Sequence, residues 1–330
     1  MKNYQTGGST RTTLLSLGLL AVSLLFTQCK KNELSKVEEQ APAPKSAAKV
    51  SLTRSPTSGF LYGHGVNLQP SYYNNGNVNF GWSLMKSYTK IKTVRIEVEP
   101  DKVNQAKSWI SQANANGYAV IVTYHRVGTM GSDNTAYLND AANWWRTNYA
   151  TLWASGRFTI NLMNEWGSHN ISSNAYASAY NSAISTVRQV YSGAIIIDIP
   201  GWGQETRTAA DAVKGTNGTR INDANIILSA HIYPNGWNQG RNRTLANADL
   251  DEMGSAGRAC MIGEFGNQPS GSANWSGLVN HAKSKGWTVL GWAWNGDGGG
   301  MNMVSPSWAQ NATATSFSPS GYFNTVYNLL

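Results

Sequence analysis

The sequence predicts an α/β fold, a closed (β/α)8 or TIM barrel forming a single domain over residues 59–330. Three observations predict it. Eight short apolar runs recur from Gly59 onward, most of them carrying β-branched or aromatic residues without strict alternation. That is the pattern of parallel strands buried on both faces. Longer amphipathic stretches separate the runs, and alternating strand and helix implies right-handed βαβ units. Eight such units in a chain of this length match a barrel of about 250 residues. The runs also end alike, each in a residue that is not apolar.

In chain order the runs are Leu61–Asn67, Thr93–Val98, Ala119–His125, Phe158–Glu165, Ala194–Gly201, Asn225–Tyr233, Cys260–Gly266 and Thr288–Asn295. Helix-like stretches between them include Lys102–Ala115, Thr135–Ala154, Asn174–Tyr191, Gln204–Val213 and Ser270–Lys285. A doubly wound open sheet would share the alternation, but no Gly-rich phosphate turn follows the first run. No internal repeat or second domain is visible.

The segment before Gly59 differs in kind. Lys2 and Arg11 precede the apolar stretch Leu14 to Phe26, the layout of an export signal over residues 1–29. The stretch is too short to span a bilayer comfortably as a permanent helix. It closes on Leu24-Leu25-Phe26-Thr27-Gln28-Cys29, which resembles the lipobox of bacterial lipoproteins. That resemblance implies acylation of Cys29 and a membrane-anchored protein facing the periplasm or cell surface. Residues 30–58, rich in Lys, Glu, Ala, Pro and Ser, read as a disordered linker.

Charge and cysteine content exclude other classes. Residues 1–58 carry eight Lys/Arg against three Glu, and so hold five of the eight net positive charges. The barrel has no dense basic stripe, and no nucleic-acid partner is expected. Cys260 is the only cysteine besides Cys29, so no intramolecular disulfide is available and a buried, inert Cys260 is expected. Thirteen Trp exceed what core filling needs, and their flat faces suit stacking on sugar rings or bases.

The polar run ends are Asn67, Glu97/Glu99, His125, Asn164–Glu165, Gly201–Trp202, His231/Tyr233, Glu264 and Trp294–Asn295. In a (β/α)8 barrel these ends converge on the face that carries active sites. Glu165 ends the fourth run and Glu264 the seventh, so their side chains can face each other across the mouth. Two facing carboxylates suit glycosidic bond cleavage, at about 5–5.5 Å for retention and about 6.5–9.5 Å for inversion. Asn164 is placed to bond a sugar hydroxyl, Arg95 to keep Glu264 ionised, and Tyr233 to orient the same carboxylate. His125 and His231 are placed to bind hydroxyls or tune the acid. Trp202 and Trp294 are expected as stacking surfaces; Trp166, Trp237 and Trp292 read more readily as packing. No His/Asp/Glu cluster has a ligand spacing, so no metal or other cofactor is expected.

The segments Asn-Leu-Met-Asn164-Glu165-Trp166, Ser-Ala-His231-Ile-Tyr233, Ile-Gly-Glu264-Phe-Gly and Gly-Trp-Ala-Trp294 resemble strand motifs of glycoside hydrolase family 5. The likeness spans roughly residues 60–330. It implies Glu165 as acid/base and Glu264 as nucleophile, with Arg95, His125, Asn164, His231, Tyr233 and Trp294 around them. Ile-Asp198-Ile-Pro-Gly-Trp202-Gly-Gln looks most like bacterial endo-β-1,4-mannanases. His125 is followed by Arg126, where those enzymes often carry an acidic residue, and residues 68–80 match no familiar loop. The resemblance therefore implies an exported, retaining, monomeric endo-β-glycosidase acting on a β-1,4-linked polysaccharide, mannan first. An endo-β-1,4-glucanase with the same pair and a non-catalytic glycan-binding lipoprotein are the alternatives.

Overall fold

The computed structural model describes residues 63–330. The expected export signal, Cys29, the linker and the start of the first run lie outside the described residues. Eight parallel strands close into a barrel. They are β1 (Gly65–Leu68), β2 (Thr93–Val98), β3 (Ala119–Tyr124), β4 (Thr159–Asn161), β5 (Ile195–Asp198), β6 (Ile226–Ile232), β7 (Ala259–Phe265) and β8 (Thr288–Asn295). Each pairs with its sequence neighbours, and β8 returns to β1.

Helices follow the strands. Val103–Ala115, Thr135–Trp153, Ser173–Val187, Thr206–Lys214, Asn247–Gly254 and Trp275–Ser284 are the longer ones. Several start where a short polar side chain caps an orphan amide. Asn134 accepts from the Ala136 N–H, Ser172 from Ala175 and Asn274 from Gly277. Asn247–Gly254 was not among the helices expected from sequence; eight residues are too few for their apolar period to register. Two small ribbons, Trp237–Asn238 with Arg243–Thr244 and Val304–Ser305 with Ser318–Pro319, decorate the barrel.

Period-two alternation sorts the side chains. Val94, Ile96 and Val98 of β2 join the apolar layer that includes helix residues such as Trp109, Trp145 and Ile184. Inside the barrel, Ile121, Ile196, Ile227, Met261 and Leu290 form a separate apolar plug. The inward positions above it are polar, and two residues further along each strand the alternation carries Ile196 to Asp198 and Arg95 to Glu97. The barrel is thus sealed below and hydrophilic above.

The alternation breaks on β7 and β8. Ala230 of β6 pairs with Ile262, yet His231 pairs with Glu264, so Gly263 is an extra residue on β7. This bulge turns Glu264 inward and Phe265 out to the helices. On the β1 side the register slips across Trp292–Trp294. The buried Asn67 amide donates to the carbonyls of Gly263 and Gly291 at 3.0 and 3.2 Å, answering groups at both irregularities.

A Cβ on Gly263 would lie 2.2 Å from the Ser229 hydroxyl and 3.1 Å from His231 Nε2. We expect Gly263→Ala to cost about 1–3 kcal/mol in denaturant unfolding through overpacking. Unchanged unfolding would mean the bulge does not constrain the barrel mouth.

Candidate active site

The mouth of the barrel is organised by Arg95, a cation only 1% exposed. Its Nε donates to Asn161 Oδ1 at 2.8 Å. Nη1 donates to Asn67 Oδ1 at 2.9 Å, Glu97 Oε1 at 3.0 Å and Glu264 Oε1 at 2.8 Å. Nη2 reaches Asn164 Oδ1 at 2.5 Å and Asp198 Oδ2 at 3.4 Å. Burial alone disfavours the charged guanidinium. The charges of Glu264, Asp198, Glu97 and Glu165 outweigh burial and hold it protonated.

Glu264 is fixed from two sides. Besides Arg95, the Tyr233 hydroxyl donates to its Oε2 at 2.7 Å. Burial, then the charge of Glu264, push the Tyr233 phenol well above its ordinary value, so it stays a donor. Both carboxylate oxygens therefore receive hydrogen bonds, an arrangement for an anion held at one orientation.

Glu165 lies in different surroundings. It sits on the turn after β4 with a left-handed φ of 49°. Its backbone N–H donates to Asp198 Oδ2 at 3.1 Å. Its Oε1 meets His231 Nδ1 at 2.7 Å, and no contact with Arg95 accompanies it. Burial raises the Glu165 carboxyl above its ordinary value, with His231 opposing and Glu264 and Asp198 adding to the rise. His231 is itself fully buried; burial disfavours its charge, but Glu264, Asp198 and Glu165 raise it well above its ordinary value. Its Nε2 lies 3.5 Å from Asp198 and its Nδ1 3.5 Å from Glu264.

The catalytic geometry asked of the pair is present. Carboxylate oxygens of Glu165 and Glu264, together with a His231 nitrogen, lie within 4.8 Å of one another. An oxygen of each carboxylate thus stands within reach of one shared cleft. The same three groups have the reach of metal ligands. However, the Arg95 guanidinium already sits 2.8 Å from Glu264, so a divalent cation there would meet a positive charge bound to one of its ligands.

A cleft of about 380 Å³ opens over these groups, lined among others by Gln69, Tyr72, Glu97, Met130 and Trp292. His125 and Asn164 also face it. His125 is bound on both edges, by Glu99 at 2.9 Å through Nδ1 and by Glu97 at 3.6 Å through Nε2. Burial opposes its charge, yet Glu97 and Glu99 raise it above the ordinary histidine value. Trp202, 39% exposed, packs against the His169 ring on the turn after β5, outside this cleft. Trp294 corrects the sequence expectation. It is fully buried, and its indole N–H donates to the Phe80 carbonyl at 2.8 Å, so it offers no face to a sugar. Trp292 takes the place in the cleft, because the slipped register on β8 sends these two tryptophans to opposite sides.

Sequence reasoning missed four further contributors. Asp198 was quoted only as part of a motif, although its inward parity on β5 with Ile196 was a usable signal. Asn161 carries the same parity on β4. Gln69 and Tyr72 come from residues 68–80, which matched no familiar pattern and had no signal of their own.

A family model described as Cellulase (glycosyl hydrolase family 5) matches residues 73–298, which include both glutamates. The chain belongs to glycoside hydrolase family 5. A mannan endo-1,4-beta-mannosidase of Streptomyces lividans is 28% identical over 206 residues, 61% of this chain and 52% of its own. The chain thus spans about half the length of that curated relative. Among solved structures, the catalytic domain of a mannanase from Streptomyces sp. SirexAA-E is 21% identical and superposes with a TM-score of 0.63, covering 82% of this chain and 85% of that one. A beta-mannanase from Streptomyces thermolilacinus, solved with mannohexaose, gives 20% identity, coverage of 81% and 87%, and a TM-score of 0.62. An endoglucanase catalytic domain from Thermobifida fusca gives 15% identity, coverage of 81% and 90%, and a TM-score of 0.61. These structural likenesses establish the (β/α)8 barrel fold.

Asp198 gives this family 5 site a pH signature. Burial alone would raise its carboxyl, but His231, Arg95 and the Glu165 N–H bring it down from 3.8 to about 2. A carboxyl depressed on folding stabilises fully above its ordinary value and loses that contribution as pH falls towards the folded one. The contribution is roughly 2 kcal/mol at neutral pH. We expect Asp198→Asn to be clearly less stable than wild type at pH 7, with the gap closing as pH falls from 4 to about 2. A gap independent of pH, measured in denaturant, would remove Asp198 from the network.

Proposed function

We propose that this chain is a retaining endo-β-1,4-mannanase that works by double displacement. Glu264 attacks the anomeric carbon while Glu165 protonates the departing glycosidic oxygen. The covalent glycosyl-enzyme is then resolved by a water that Glu165 deprotonates. The reading rests on one observation: two carboxylates within reach of a single sugar carbon, one saturated by Arg95 and Tyr233, the other paired to His231 in a site that raises it. Environments that push two carboxyls apart assign the acid and the nucleophile.

The pair also accounts for the change of role. While Glu264 is anionic, its charge helps keep Glu165 protonated; once that charge is consumed in the glycosyl bond, Glu165 becomes the better base. Asn164 and His125 face the cleft to bind hydroxyls, and Trp292 supplies the apolar wall. Mannan is preferred because of the segment from Asp198 to Trp202 and the named Streptomyces lividans relative. A glucan-cleaving reading of the same pair is favoured by the description of the matching family model. We further propose export by residues 1–29 and anchoring through a lipid on Cys29.

Reducing-sugar release from galactomannan, glucomannan and carboxymethylcellulose tests the reading. Mannan-containing polymers should be cut and carboxymethylcellulose left largely intact; the reverse order makes the enzyme a glucanase. Glu165→Gln and Glu264→Gln should each lose at least about 10²- to 10⁴-fold in rate while still binding polymer. The alkaline limb of wild-type kcat/KM should follow deprotonation of Glu165 and lie above the ordinary carboxylate range. Wild-type-like turnover in either variant would end the assignment.

A further inference from the structure

We infer that Glu97 is a positioning residue for the nucleophile, dividing the Arg95 guanidinium with Glu264 and thereby preserving the nucleophile's reactivity. This inference rests on the assignment of Glu264 as nucleophile. Arg95 Nη1 carries two hydrogens but faces three acceptors, Glu264 Oε1 at 2.8 Å, Asn67 Oδ1 at 2.9 Å and Glu97 Oε1 at 3.0 Å. The two carboxylates therefore compete for one nitrogen. A nucleophile that owned the guanidinium outright would be stabilised in its ground state, and its attack would slow.

Glu97 is built to hold that place. It is 1% exposed and projects inward from β2, two residues beyond Arg95. Its Oε2 accepts from the Gln69 amide at 2.7 Å and lies 3.6 Å from His125 Nε2. Both of its oxygens thus face N–H donors. Burial pushes Glu97 upward, His125 and Arg95 pull against this, and the charge of Glu264 pushes it up again. The groups facing the pair are Gln69 from the β1 side, Arg95 from β2, His125 from β3, Glu165 and Asp198 beyond β4 and on β5, and His231 and Tyr233 from β6. Among the described residues, only Glu97 shares the nucleophile's nitrogen with a like charge.

The test is the pH dependence of inactivation by a 2-deoxy-2-fluoro-β-mannosyl-mannoside with a dinitrophenyl leaving group, which needs no proton from Glu165. Fluoride at C2 slows release, so dinitrophenolate departs as the Glu264 carboxylate forms the glycosyl ester, and the rate reports that attack. Glu97→Gln should inactivate several-fold more slowly on the plateau, with its acid limb about one pH unit lower than wild type. Glu97→Asp, which keeps the charge, should restore the limb towards wild type. Gln69→Met, at a half-buried position, withdraws a donor from Glu97 while leaving its charge, which raises the proton affinity of Glu97 and should move the limb upward, opposite to Glu97→Gln and by less. Labelling of Glu264 with plateau and limb unmoved in Glu97→Gln and Gln69→Met overturns the inference and leaves the nucleophile standing. Wild-type labelling on a residue other than Glu264 overturns the underlying assignment instead.

Discussion

A guanidinium buried inside a barrel has to be neutralised by whatever surrounds it, and that requirement organises this site. Arg95 draws acceptors from β1, β2, β5 and β7 and from the chain along and beyond β4. Residues more than 160 positions apart in the chain are brought onto one cation. Removing one partner from such a network leaves buried charge uncompensated, so the cluster is fixed as a unit. The apolar plug below keeps water from entering the barrel from the closed end, and the cleft above admits substrate.

The second consequence is asymmetry. Because Arg95 is committed to Glu264, Glu165 is held instead by His231, through one ring nitrogen while the other faces Asp198. Glu264 is gripped by two donors, whereas burial, against the pull of His231, raises Glu165 within a few ångströms of it. The backbone is bent to allow this. Glu165 adopts a left-handed conformation pinned by Asp198, and Gly263 adds the residue that turns Glu264 inward. Conformations of this kind cost on the order of 1–3 kcal/mol and persist where the surroundings over-determine them.

Much of this was legible in the residues. Parallel strands buried on both faces read as apolar runs; of their polar ends, Glu97, His125, Asn164, Glu165, Tyr233 and Glu264 meet at the cleft, while Trp202 lies outside it and Trp294 is buried. Helix ends were found to within a few residues, apart from Ser270–Lys285, whose helix begins only at Trp275. What escaped has a common cause, departure from simple periodicity. Trp292 and Trp294 share a parity on paper, and only the slipped register on β8 sends one to the cleft and the other to the Phe80 carbonyl. Asp198 looked like part of a motif, because its importance lies in contacts with Arg95, His231 and Glu165 that no local pattern encodes. Gln69 and Tyr72 sit in an irregular segment where neither period applies.

The central claim is that Glu165 and Glu264 face each other across one anomeric carbon, with Glu264 itself, rather than a water, as the proposed attacking group. The configuration of the first product reads this directly. Proton NMR of a mannooligosaccharide digest, recorded before mutarotation, should show the newly formed reducing end as the β-anomer. First appearance of the α-anomer would place a water between the two carboxylates and contradict the account.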